Sequence, residues 1–213
     1  MKSGFTLIEI IVSLGIFSIV AVVALGALLR IVTANAKAQT LHDAITNLNF
    51  GLESMSREMR VGAGYTCLPA SDGLEILPLL SGTLCSDGIG GPDDEVVIAF
   101  YSSERKVEGL NDCRLIYAYT ITKDPNDQGH FLLKKGRQSG CNQSLSIDNE
   151  NVFHPILDPS VKIQSHFIKT NSVNPTAAIH YPMVTIKLSG YAGVRERERT
   201  YFDVQTSVAA RVP

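Results

Sequence analysis

Charge is scarce and balanced in this chain of 213 residues: 19 lysines and arginines against 21 aspartates and glutamates leave a formal net charge of -2. Such a balance predicts no strong attraction for nucleic acid or an anionic lipid surface. No proline occurs before Pro69, so a helix in that stretch meets no proline break. No cysteine precedes Cys67, and Cys67, Cys85, Cys113 and Cys141 stand too far apart for a metal knuckle. The five histidines, His42, His130, His154, His166 and His180, form no close pair at ligand spacing. A glycine-rich phosphate loop and a nucleophile elbow are also missing, and Ser102 and Ser103 beside Glu104 read as an ordinary turn. Nothing here supports catalysis: the chain is not expected to be an enzyme, and no cofactor is expected.

Two acidic runs, Asp93-Asp94-Glu95 and Asp124-Pro125-Asn126-Asp127, lack the spacing and closing glutamate of a calcium-binding hand and read as solvated turns. Arg195-Glu196-Arg197-Glu198-Arg199 alternates charges that cancel, which favours a hairpin end over a nucleic-acid patch.

What is present begins at the amino terminus. Lys2-Ser3-Gly4 stands before Phe5-Thr6-Leu7-Ile8-Glu9, and an almost unbroken apolar run then continues to Leu29. A bilayer core needs about 20 apolar residues in a helix, so this run reads as a membrane anchor. Glu9 lies inside it, and the small residue Gly4 precedes it, which is the wrong side for the cleavage site of a secretory signal. Cleavage after Gly4 would discard the basic leader and keep the helix. A carboxylate in hydrocarbon costs at least about 2.5 kcal/mol unless neutralised or paired. An α-amino group freed at Phe5 is the obvious partner, supplied by another chain, because a helix holds its own first turn at fixed reach. A place among the cytoplasmic headgroups is the alternative for Glu9.

The stretch Gly4-Phe5-Thr6-Leu7-Ile8-Glu9, with its leader and apolar helix, resembles the processing motif of type IV prepilins and type II secretion pseudopilins. The resemblance implies that a prepilin peptidase cuts after Gly4, that Phe5 becomes the N-methylated mature start, and that Glu9 meets the amino terminus of a neighbouring subunit. It also implies an orientation. Lys2 before the run and Arg30 and Lys37 after it leave the positive-inside rule ambiguous, whereas a prepilin keeps its leader in the cytoplasm. The expected location is therefore a single pass through the inner (cytoplasmic) membrane with an extracytoplasmic head, and afterwards a pilus or periplasmic filament.

Beyond Leu29 the apolar residues Val32, Ala36, Leu41, Ile45, Leu48, Leu52, Met55 and Met59 recur mostly at steps of three or four, the mark of a helix with one buried face. One helix from about Thr6 to Arg60 is predicted, ended by Gly62 and Gly64. Glu53 and Arg57 are spaced for an ion pair on it. Gly15 and Gly26 stand in the membrane half, where many major pilins carry a proline, and either loosen the helix or allow close helix contact.

Residues 63–213 read as β-rich. Strands are predicted at Glu95–Tyr101, Cys113–Thr122, Phe131–Lys135, Val161–Ile168, His180–Leu188 and Thr200–Val212, with Asp124–Gly129 as a hairpin loop. Tyr65, Tyr101, Tyr117, Tyr119 and Tyr191 are expected to pack against this sheet. The expected class is α+β: a long N-terminal helix, half transmembrane and half amphipathic, on a mostly antiparallel sheet. The organisation read from the sequence is a cleaved leader over 1–4, a transmembrane stem over 5–29, the amphipathic half of the helix over 30–62, and a globular head over 63–213. The even number of cysteines fits an oxidising compartment. Of the three possible pairings, Cys67 with Cys85 and Cys113 with Cys141 is favoured because each staples a local loop.

The closing segment Tyr201 to Val212 and the helix end Leu52 to Arg60 resemble those of minor pilins and of J-type pseudopilins. The function these resemblances imply is that of a minor pilin that helps initiate or cap a type IV pilus-like filament. The alternatives are a minor pseudopilin of a type II secretion system and a filament-tip module that binds DNA or a surface ligand. The implied partners are the prepilin peptidase, other pilin or pseudopilin subunits, an assembly ATPase, an inner-membrane platform protein and the lipid bilayer; nucleic acid is not expected.

Overall fold

A computed structural model describes residues 6–209 apart from 71–74, 77–93, 110, 142, 148–151, 171–182, 194–195 and 197–198. Helix α1 (Leu7–Val61) is followed by β1 (Ala63–Pro69), β2 (Glu75–Ile76), β3 (Val96–Glu108), β4 (Asn111–Asp124), β5 (Asp127–Arg137), β6 (Leu145–Ser146), β7 (Phe153–Pro155), β8 (Val161–Thr170), β9 (Met183–Ala192) and β10 (Thr200–Ala209). Its 55 residues make α1 roughly 80 Å long at 1.5 Å per residue. The main sheet runs β1-β3-β4-β5-β8-β9-β10, with β7 added to β5, and every pairing in it is antiparallel. The chain is therefore α+β.

The helix lies on one face of this sheet. Leu52, Met55 and Met59 share a core with Ile98, Phe100, Tyr119, Leu133 and Ile186, and each such side chain withdrawn from water stabilises the fold by about 1.5–3 kcal/mol. Polar contacts fix the same end: the Tyr119 hydroxyl donates to Glu58 Oε2 at 2.6 Å, and Lys135 pairs with the other carboxylate oxygen. On the opposite face, Ile76, Leu145 and Phe153 from β2, β6 and β7 cover Val97, Ala99, Ile116 and Ala118. Burial on both faces explains why Val96-Val97-Ile98-Ala99-Phe100 is an unbroken apolar run instead of an alternating one.

Several predicted boundaries move. The expected loop over 124–129 shrinks to the turn at Pro125 and Asn126, because Asp124 accepts the Asn126 N–H at 2.9 Å and β5 starts at once. The strand expected from His180 is described from Met183 and continues to Ala192. Its extra residues pair with Thr200 to Asp203, so tertiary partners extend a strand that alternation alone ended at Leu188. β1 is an addition to the expected strands; it has too little alternation of its own and is held by β3. The buried face of α1 begins at Ala44, whereas Val32 is exposed and Ala36 and Leu41 are only half-buried, since the sheet does not reach below that point. Gly62 caps the helix without a left-handed backbone, its φ being -79°; a Cβ there would stand 2.4 Å from the Phe100 ring.

Cys113 and Cys141 form a disulfide that ties the start of β4 to the segment after β5. Nearby, the Cys141 N–H donates to Glu108 Oε2 at 3.1 Å. Cys67 is also disulfide-bonded, and Cys85, its expected partner, lies outside the described residues.

Candidate functional site

The N-terminal part of α1 has a different chemistry from the part under the head. From Leu7 to Val32 its large apolar side chains are exposed, Leu7 at 77% and Phe17 at 69%. None of the most apolar 18-residue window is buried among the described residues, and the helix is long and apolar enough to cross a membrane. Hydroxyls within it are turned inward: Ser13 donates to the Glu9 carbonyl at 2.7 Å and Ser18 to the Leu14 carbonyl at 2.8 Å. Each of these hydroxyls is thus satisfied by the helix itself, as hydrocarbon surroundings demand. A Cβ added at Gly15 or Gly26 would meet open space, so these glycines leave bare backbone on the stem's surface.

The start of the helix is built by Thr6 and Glu9. The Thr6 N–H donates to Glu9 Oε2 at 3.0 Å and the Thr6 hydroxyl donates to the same oxygen at 2.9 Å, while the Glu9 N–H donates back to Thr6 Oγ1 at 3.4 Å. This capping box holds the carboxylate at the first turn and partly offsets its charge with two donors. Sequence reasoning singles out Glu9 and misses Thr6, although a threonine three residues before a glutamate at the head of an apolar run is itself the signal. Gly4 and Phe5 lie outside the described residues.

Most of the other described residues weighed from sequence are engaged within the head. Asp124 caps its turn and lies 3.5 Å from Lys162. Glu95 accepts the Lys123 N–H, and Asp93 lies outside the described residues. Ser102 accepts the Glu104 N–H at 3.1 Å, and Glu104 accepts the Tyr117 hydroxyl at 2.6 Å and pairs with Arg137. His130 stands 2.7 Å from Asp127, His166 is buried against Phe131, and His180 lies outside the described residues. Of the charged run, Arg199 stacks on Tyr191 at 4.5 Å, and Arg195, Arg197 and Glu198 lie outside the described residues. Tyr65 donates to the Met59 carbonyl, and burial with the Glu58 carboxylate alongside raises the Tyr119 hydroxyl above its ordinary range. The Glu53–Arg57 pair forms at 3.1 Å on the exposed side of α1.

Residues 1–25 match a family model described as the prokaryotic N-terminal methylation motif. No curated protein and no solved structure matches the chain.

Proposed function

We propose that this chain, which carries the type IV prepilin signature in its first 25 residues, serves as a minor pilin that helps initiate or cap a pilus-like filament. The signature implies processing by a prepilin peptidase and assembly with other pilin-like subunits, and it marks a structural subunit in place of an enzyme class. The observation that carries the reading is the union of that signature with a stem whose large apolar side chains, from Leu7 to Leu29, stand exposed among the described residues. Such a surface is buried first by lipid and then by the stems of other subunits, so the stem both inserts and assembles. Heterologous contacts between stems leave an open end and let the assembly grow. Cleavage after Gly4, methylation at Phe5, the assembly ATPase and the platform protein belong to this proposal, as does the orientation with the head outside the inner membrane. The resemblance of its carboxyl end to J-type pseudopilins favours a secretion pseudopilus as the second reading; deletion of the host's pilus genes and of its secretion genes, one set at a time, shows which filament the chain joins.

Mass spectrometry of the mature amino terminus from the native host tests the first step. A chain beginning at N-methylated Phe5 is expected; an intact Met1 start in cells with an active prepilin peptidase removes the filament reading.

Glu9 has a separate role in this scheme. Its Oε2 is engaged by Thr6, and among the described residues Oε1 takes no hydrogen bond, which leaves it to receive the Phe5 amine of the next subunit. Replacing Glu9 by alanine should leave insertion and cleavage intact and lower incorporation into filaments by at least about 10-fold, the equivalent of 1.4 kcal/mol. Quantitative immunoblots of sheared filaments against membranes read this directly, and wild-type incorporation of the variant would remove the pairing from the scheme.

A further inference from the structure

The sheet has two outer edges, and they are built differently. β1 closes one edge with seven residues, a register shift between Ala63 and Thr66, and a terminal proline, Pro69. Shortness, irregular pairing and proline are the usual means by which an edge discourages a further strand. β10 closes the other edge with ten residues that pair one for one with β9, from Thr200–Ala192 to Ala209–Met183, without a shift. It contains no proline, lysine or arginine, and its one charge, Asp203, is already engaged by Lys187 at 3.1 Å. Among the described residues, no backbone hydrogen bond reaches the side of β10 that faces away from β9. The open ladder is roughly 33 Å long at about 3.3 Å per residue.

Beside this edge runs a groove of about 670 Å³, walled by Leu52, Glu53 and Ser56 of α1 and by Val204, Gln205 and Thr206 of β10. An extended chain laid along β10 would find backbone partners at the edge and room in the groove for alternate side chains.

The direction of β10 narrows the occupant. Ala44 and Leu48 cluster with Phe202, Leu52 and Ser56 flank Val204 to Thr206, and Met59 shares the main core with Val208. β10 therefore advances in the same sense as the helix, away from the stem. An antiparallel pair with β10 of a second copy would point the two stems in opposite directions, which a common membrane or filament forbids. A parallel two-fold pair would set like backbone groups against each other at the same height.

We propose that the free edge of β10 takes up an extended strand from a different subunit, antiparallel to β10 and uncharged along its length, with alternate side chains lodged in the groove among Leu52, Ser56, Val204 and Thr206. The proposal rests on the reading of the chain as a filament subunit. It is continuous with the assembling surface of that reading, because the helix that carries the stem also forms a wall of the groove.

Amide hydrogen exchange on the full chain tests it, comparing detergent-dispersed protein with native membranes of the assembling host. Amides of β10 that already bond to β9 should change little, while the alternate amides facing the free edge should slow by at least about 100-fold. Uniform slowing over 200–209, or none, overturns strand addition. If the alternating pattern forms in a chain that enters no filament, strand addition stands and the filament reading falls. Filament entry with β10 exchanging as it does in detergent sinks strand addition and leaves the filament reading intact. Gln205→Lys and Ser207→Lys alter exposed positions beside the edge. Both should abolish the alternating protection while leaving the head's unfolding midpoint unchanged, and its survival in both variants counts against pairing at this edge.

Discussion

Alanine at Gly190 is expected to break the junction of β8 and β9 and to cost the head more than about 4 kcal/mol, beyond the range of ordinary point substitutions. Gly190 lies in β9 opposite Ile163, just where β8 shifts register between Ile163 and Ser165. The bulge drives the β8 backbone against this position: an added Cβ would stand 2.0 Å from the Lys162 carbonyl oxygen and 3.0 Å from the Ile163 Cα. Both obstacles are main chain, so no side-chain rotation relieves the contact, and the bulge must move or the pairing must open. Moving it by one residue would turn the alternate side chains of β8 to the wrong face, Ile168 among them. Against a total stability of about 5–15 kcal/mol the loss is large. Denaturant unfolding of the full chain in detergent, followed by a probe of the head, measures it. Gly15→Ala, placed where a Cβ meets open space, serves as the control and should leave the head's midpoint unchanged. A Gly190→Ala midpoint equal to wild type would show that β8 can yield at the bulge.

Acid should weaken the head through His166. This ring is buried against Phe131, their centroids 4.8 Å apart, and among the described residues neither of its nitrogens has a hydrogen-bond partner. Burial penalises the charged form and pushes its pKa from 6.5 down to about 4, with the Asp94 carboxylate opposing the shift. Because the folded pKa is depressed, the unfolded chain takes up its proton first as the pH falls. The stability associated with the neutral ring is complete above about pH 6.5, declines between there and about pH 4, and is level below that. The span corresponds to a loss of about 3 kcal/mol. Thermal unfolding across that window, for wild type and for His166→Phe, isolates the effect. Phenylalanine keeps a ring against Phe131 and removes two orphaned nitrogens, so the difference between the two curves should grow steadily as the pH drops. Parallel curves would show that protonation of His166 is not coupled to unfolding.

Both predictions concern residues whose significance is invisible in the sequence. Gly190 stands in the run Leu188-Ser189-Gly190-Tyr191, just past the point where alternation ends the predicted strand, and only the bulge in another strand makes its missing Cβ necessary. His166 alternates with Ile168 as any inward residue would, but nothing local says that its nitrogens go without partners. The continuous run at Val96 to Phe100 is legible as a strand, although not as one covered on both faces, because its second cover comes from the short segments at Ile76, Leu145 and Phe153.

The sequence by itself determined what depends on near neighbours: the leader motif, the uninterrupted helix, the place of Glu9 within it, the α+β class and most of the strands. Each is written in a period or a short motif, so the reach of the signal matches the reach of the physics. The helix cap at Thr6 belongs with these, since its partner is three residues away. Only the tertiary structure decided the order of strands, the point at which α1 meets the head, the clash that reserves position 190 for glycine, and the unequal edges at β1 and β10. Those features arise between segments tens of residues apart, where close packing and backbone pairing select one arrangement among many that share the same local pattern.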